Sequence, residues 1–167
     1  MTCGLPGAAA YLGFLAPIAV LALSPFAFGA ASAMVATPDS PARLCLTLDP
    51  PAMRELRRGD RRLIVVVHAF QPGEPPLGRF VVSLVGSANS KPVEVTRFAV
   101  HPLGAFSAEE RARQQRFLVS LEGQASMIED NRPVCVEVAF DAPAGAVKGA
   151  MAEVGVELAD ESKAPEK

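Results

Sequence analysis

Apolar and polar residues alternate along much of the chain after residue 33, in short valine-rich runs separated by clusters of Pro, Gly, Asn and Asp. A period of two residues is typical of strands that bury one face, whereas a sustained period of 3.6 would indicate helices. Strands are therefore predicted at 43–49, 61–70, 79–86, 93–100, 116–121, 133–140 and 152–159. This spacing predicts an all-β fold: a seven-stranded antiparallel β-sandwich with Greek-key, immunoglobulin-like connections.

The run LIVVVHAF within the second of these strands is apolar at both odd and even positions. A strand of this kind is expected in the interior of a sheet, with both of its faces covered. We therefore predict that residues 63–70 form a central strand and not an edge.

Two loops have the pattern of a short helix. In PPAMRELRRG, Pro51 suits an early helical position and Gly59 a left-handed C-cap. In SAEERARQQ, Ser107 and Glu110 have the spacing of a capping box. One or two short helices are thus expected in loops.

The first 33 residues contain no charged side chain. The apolar stretch 8–23 and the small residues Ala31, Ser32 and Ala33 are typical of a signal peptide that is cleaved after Ala33. A retained membrane anchor stays open, because about 20 apolar residues can span a bilayer and the usual basic N-terminal region is missing.

The predicted organisation has three parts: a signal peptide at 1–33, a β-sandwich domain at 34–160 and a disordered, charged tail at 161–167. The protein is therefore expected to be exported to the periplasm or the extracellular space. We expect no membrane association after cleavage.

Cleavage would leave Cys45 and Cys135 in an oxidising compartment, where a disulfide between them is expected. The alternation in RLCLTLD and VCVEVAFD places both cysteines on polar strand faces. They are therefore predicted to bridge neighbouring strands of one sheet, not two sheets across a core. Two buried free thiols remain the alternative, and neither cysteine has metal-ligand spacing.

The chain has 16 basic and 18 acidic residues, a net charge of −2, which argues against bulk attraction to nucleic acid. One segment is locally basic and contains Arg54, Arg57, Arg58, Arg61 and Arg62. These guanidinium groups are candidates for binding a sulfate, a phosphate or an acidic partner. The alternative is that they are solvated and protect the following strand from edge pairing.

The sequence offers little for metal or catalytic chemistry. Its two histidines are His68 and His101, and no histidine follows Cys135 as a cupredoxin copper site requires. A looser metal site at these histidines is a minor alternative, and no cofactor is expected. Without G-x-S-x-G, H-E-x-x-H or a glycine-rich phosphate loop, the chain is predicted not to be an enzyme.

Two stretches resemble known families. The first lies within residues 78–141 and consists of VEVTRFAVHPL and RFLVSLEGQASMIEDNRPVCVEVAFDA. It is similar to the C-terminal β-sandwich domain of plant-type polyphenol oxidases and related tyrosinases. That resemblance implies a lid that packs on a copper domain, with no catalytic residue carried over. GRFVVSL stands where that domain has its Lys-Phe-Asp-Val motif.

The second resemblance covers about residues 44–82, where LTLDPPAMRELRRGDRRLIVVVHAFQPGEPPLGRFVV is similar to the periplasmic C-terminal β-domain of cytochrome c assembly factors. Both resemblances imply an exported, noncatalytic module that packs on another protein.

We therefore expect an accessory or binding module whose partner is a protein, most concretely a tyrosinase-like copper oxidase. The alternatives are a periplasmic redox or cytochrome c assembly module, and a polyanion-binding surface protein that uses the Arg54–Arg62 loop.

Overall fold

The computed structural model describes residue 1 and residues 32–86, 91–130, 132–143 and 145–159. The predicted tail and nearly all of the predicted signal peptide lie outside these residues. The strands are β1 (Met34–Ala36), β2 (Ala42–Leu46), β3 (Leu63–Gln71), β4 (Arg79–Val85), β5 (Val93–Ala99), β6 (Gln115–Val119), β7 (Val134–Phe140) and β8 (Met151–Leu158). One α-helix, α1 (Pro50–Arg58), joins β2 to β3. Among the described residues, no helix is both long and apolar enough to cross a membrane.

The eight strands form two four-stranded antiparallel sheets. The first sheet has the order β1-β8-β3-β6, and the second has the order β2-β7-β4-β5. The central hairpin is the antiparallel pair of β4 and β5. Outside it, β3 pairs with β6, β2 with β7 and β1 with β8, each pair antiparallel and enclosing the previous one in sequence. Eight strands nested in this way have the strand order of a jelly roll.

The prediction of an all-β antiparallel fold is confirmed, but the strand count of seven is wrong. The additional strand, β1, has only three residues, too few for alternation to be recognised in the sequence. The immunoglobulin-like order is wrong as well, since that fold has unequal sheets and pairs its first two strands. Among the described strands, β4 and β5 are the only consecutive strands that pair.

Alternating side chains from both sheets meet in one hydrophobic core. In β2, Ala42, Leu44 and Leu46 are buried, while Arg43 and Cys45 are exposed, as the alternation predicts. Phe80 is fully buried, and its ring lies 4.5 Å from Phe140 and 5.1 Å from Phe98, measured between centroids. Other members of this core are Leu56, Leu63, Val65, Val67, Val82, Val119, Leu121, Val136, Val138 and Val154.

An aromatic pair joins the two sheets along one side. The rings of Phe98 on β5 and Phe117 on β6 stack with centroids 4.0 Å apart. These strands are edge strands of different sheets. The stacked rings therefore partly close the side on which both edges lie.

The first predicted helix is confirmed in detail. Asp49 Oδ1 accepts a hydrogen bond from the amide of Ala52 at 2.8 Å and so caps the N-terminus of α1. Gly59 has φ of 78°, and its amide donates to the carbonyl of Leu56. A left-handed glycine is the usual helix stop, so sequence and structure agree at both ends.

The second predicted helix forms only a short turn. Arg111–Arg113 is a single 3-10 turn, because β6 begins at Gln115 and leaves no room for a longer helix. One half of the expected capping box is present, as the amide of Ser107 donates to Glu110 Oε2 at 2.9 Å. A further 3-10 turn, Ala125–Met127, follows β6.

Candidate functional site

The disulfide lies on the face of the second sheet that points away from the core. Cys45 on β2 is directly opposite Cys135 on β7, with Cα atoms 4.0 Å apart, and the two sulfurs are bonded. Cys45 is exposed and Cys135 is 8% exposed. The prediction of a bridge between neighbouring strands of one sheet is confirmed.

Three of the five predicted anion-binding arginines form ion pairs within the chain. Arg58 Nε lies 2.6 Å from Asp60 Oδ2, and Arg61 Nε lies 3.1 Å from Glu55 Oε2. Both partners belong to the same helix and turn. The carboxylates therefore neutralise part of the charge that made the segment look basic.

Arg57 forms the third ion pair and has a structural consequence. Its Nη1 lies 2.9 Å from Asp130 Oδ1, and its Nη2 donates to the carbonyl of Ile128. These contacts join the end of α1 to the loop between β6 and β7. The Arg57 side chain is 26% exposed and that of Asp130 is 73% exposed, so water reaches this ion pair from the Asp130 side.

Arg54 and Arg62 differ from the other three arginines. Both are exposed, and neither has a carboxylate within 4.0 Å among the described residues. The structure thus groups the five predicted arginines around one helix but leaves two guanidinium groups that are not engaged in such pairs.

A cleft of about 420 Å³ runs beside α1. Its walls are Leu48, Pro50, Met53, Arg54, Arg57 and Asp130. Asp130 is the residue that sequence reasoning missed, because it lies 73 positions after Arg57 and no local pattern connects the two residues. A smaller cavity of about 190 Å³, lined in part by Arg43, Arg132 and Cys135, lies at one end of the second sheet.

The outer face of the first sheet, the face opposite the core, has an unusual composition. By strand register, this face includes Val35, Ile64, Val66, His68, Arg116, Leu118, Glu153, Gly155 and Glu157. Leu118 is 60% exposed and Val35 is 50% exposed, while Ile64, opposite Leu118 in the register, is half-buried. Exposed apolar side chains therefore lie on both edge strands of this face, while the inner strand β8 contributes Glu153, Gly155 and Glu157 to it.

β3 lies between β8 and β6, so the prediction of a central strand is confirmed. Cover on the outer side comes from the sheet's own side chains: Val66 is only 4% exposed, and the Arg116–Glu157 ion pair spans β3 beside it. Ile64 lies opposite Glu157 in the register and is only half-buried. The prediction that both faces of β3 are buried is thus confirmed on the outer face at Val66 but not along the whole strand.

The two histidines lie on different elements. His68 sits at an irregularity in the β3–β8 register and packs over Gly155, where an added Cβ would be 2.7 Å from His68 Nε2. His101 is exposed after β5, and the side chain of Gln115 bonds to both its amide and its carbonyl. In the part of the chain that the structure describes, no three His, Cys, Asp or Glu residues are arranged to hold a metal ion.

A charged cluster marks the edge strand β5. Arg97 donates to both oxygens of Glu94 at 2.8 and 3.0 Å, and to both oxygens of Asp141 at 3.1 Å. The hydrogen bonds from Arg97 lower the pKa of Glu94, and the two carboxylates, chiefly Glu94, raise the pKa of Arg97. Charges at an edge discourage pairing with another strand, which is the role we assign to this cluster.

No family model matches the sequence, and the comparison with curated proteins finds no match. The function has to be argued from the disulfide, the arginine cleft and the outer face of the first sheet.

Proposed function

We propose that this chain is an exported, noncatalytic β-sandwich of the jelly-roll type that serves as an accessory module and packs on another exported protein. The docking surface in this proposal is the outer face of the first sheet. The partner we propose is a copper oxidase of the tyrosinase class.

The observation that carries the proposal is the two-sided apolar character of β3. Leu63, Val65 and Val67 fill the core, yet Ile64 and Val66 on the opposite side are equally apolar. A strand that only separates a core from water alternates with polar residues instead. An apolar face without full cover within its own domain is typical of a protein interaction site.

Charge on the same face favours a particular kind of partner. Arg116 is engaged by Glu157, whereas Glu153 has no basic group within 4.0 Å among the described residues. The face therefore combines exposed apolar side chains, one ion pair and one acidic group that is not neutralised. A partner with an apolar patch beside a lysine or arginine would complement it.

The class of partner comes from the resemblance of residues 78–141 to the lid domain of polyphenol oxidases. That stretch contains β6, whose Leu118 is the most exposed apolar side chain of the face. A lid packs on the copper domain of its own chain, and we propose that this protein packs on an oxidase in the same way as a separate chain.

The disulfide supports the proposed location. Cys45 is solvent-exposed, and an exposed disulfide persists only where thiol reductants are scarce. The periplasm and the extracellular space meet this condition.

The test is calorimetric titration of the exported protein with the purified tyrosinase-class oxidase of the same host. Leu118→Glu places a charge on the most exposed apolar side chain of the proposed contact and is expected to weaken binding at least tenfold. Leu103→Glu is the matched control, because Leu103 is also an exposed leucine, at 44%, but lies in the loop after β5. It should leave the Kd unchanged.

Three outcomes contradict parts of the proposal. Equal weakening by both variants would mean that the outer face of the first sheet is not the contact. Absence of binding to the oxidase would reject that partner class. Binding to components of cytochrome c assembly instead, weakened by Leu118→Glu, would support the docking face but show that the partner is of another class.

A further inference from the structure

We propose that the cleft beside α1 binds a small organic monoanion, a carboxylate with an apolar body, and that Arg54 is the residue that binds its charge. This site is separate from the proposed docking face.

The cleft is built by the spacing of residues on α1. Pro50, Met53, Arg54 and Arg57 follow one another at intervals of three, one and three residues, which places them on one side of a helix. Met53 is 3% exposed and anchored in the core. The apolar part of the cleft surface therefore comes mainly from Leu48, which is half-buried, and Pro50, which is exposed.

The charges in the cleft select a monoanion. Arg57 is committed to Asp130, with 2.9 Å between Nη1 and Oδ1, so these two formal charges cancel. Arg54 is exposed, lines the cleft and forms no ion pair with a described residue. One positive charge beside the apolar side chains of Leu48 and Pro50 matches a single carboxylate with a small apolar body, because a guanidinium can hold a carboxylate with two parallel hydrogen bonds.

Asp130 argues against a highly charged ligand. Its carboxylate lines the same cleft and neutralises Arg57, so the cleft keeps one net positive charge, too few to balance a polyphosphate or a sulfated sugar. The cleft volume of about 420 Å³ lies in the range of small-molecule sites, about 300 to 1,000 Å³. The structure thus favours a small amphipathic acid over the polyanion that the arginine count alone suggests.

The experiment is a titration of the full exported protein with benzoate, followed by amide chemical shifts in NMR. Benzamide is the neutral comparison, because it has the same ring without the charge. Benzoate is expected to shift the amides of Met53, Arg54 and Asp130. Benzamide is expected to bind at least tenfold more weakly.

The matched variants are Arg54→Gln and Arg62→Gln. Both remove an exposed arginine that forms no ion pair with a described residue, but only Arg54 lines the cleft. Arg54→Gln is expected to raise the Kd for benzoate at least tenfold, and Arg62→Gln to leave it unchanged. Leu118→Glu should also leave it unchanged, which separates this site from the docking face.

Several results would overturn the proposal. These are equal affinity for benzoate and benzamide, no shift at the cleft residues, or equal loss of affinity in both arginine variants. Heparin or inorganic phosphate could also bind more tightly than benzoate and depend equally on Arg54 and Arg62. That result would show a polyanion-binding surface and not a monoanion site in the cleft.

Discussion

Removing the disulfide should destabilise the protein by an amount that follows from its loop length. Cys45 and Cys135 are 90 residues apart in sequence, so the bridge closes a long loop in the unfolded chain. On the chain-entropy estimate, such a closure contributes about 4 to 5 kcal/mol at 25 °C. The folded state should change little, because the bridge joins residues that five register pairs between β2 and β7 already hold opposite each other.

The variant is Cys45→Ala combined with Cys135→Ala, so that no free thiol remains. For a mature chain of 167 − 33 = 134 residues, that loss corresponds to a decrease in Tm of about 15 °C. Far-UV circular dichroism is the suitable signal in urea and thermal unfolding, because the chain has no tryptophan and its one tyrosine lies in the predicted signal peptide.

Wild-type protein treated with a reductant is the internal control, and its midpoint should match that of the double variant. A loss below about 1 kcal/mol would refute the loop-entropy argument, since the 90-residue closure would then contribute almost nothing. Identical midpoints for wild type with and without reductant would show that the bridge is not formed.

Three further predictions concern the core, a turn and the edge cluster. Phe80→Ala should cost about 3 to 5 kcal/mol in urea unfolding, because it empties a fully buried site between three phenylalanine rings; a cost below about 1 kcal/mol would contradict the packing. Gly73→Ala should lower Tm more than Gly145→Ala: both glycines have positive φ, but only at Gly73 would a Cβ meet backbone, 2.7 Å from the amide of Ala150. The lowered pKa of Glu94 means that its pairing with Arg97 adds stability that is complete above the unfolded pKa of about 4.5 and is lost as the pH falls through the lower folded pKa. The difference in Tm between wild type and Glu94→Gln should therefore shrink in acid, and a difference that is constant with pH would contradict this assignment.

The phase of the cysteines could be predicted from the sequence because strand alternation is local. Neighbouring residues on a strand point to opposite faces, so Leu44 and Leu46 in the core place Cys45 outside it. The same argument held for Cys135 beside Val134 and Val136. The helix α1 was equally accessible, since Asp49 and Gly59 determine its ends through contacts within a few residues.

The arginine segment shows where that reasoning fails. Five arginines in nine positions look like an anion site, and their number says nothing about which carboxylates lie nearby. Glu55 and Asp60 are visible in the same segment, but the partner of Arg57 is Asp130, brought close by the packing of a distant loop. Because ion pairs depend on distance in space, charge along the chain overstated the positive potential of this surface.

By itself, the sequence determined the all-β class, seven of the eight strands, the first helix and the disulfide, because each follows from local periodicity or from a pair of cysteines in matching phase. Only the tertiary structure decided the strand order, the pairing of β1 with β8, the cleft beside α1 and the incomplete cover of β3. These depend on contacts between residues far apart in the chain. Alternation says which face of a strand is buried and does not say which strand will lie beside it.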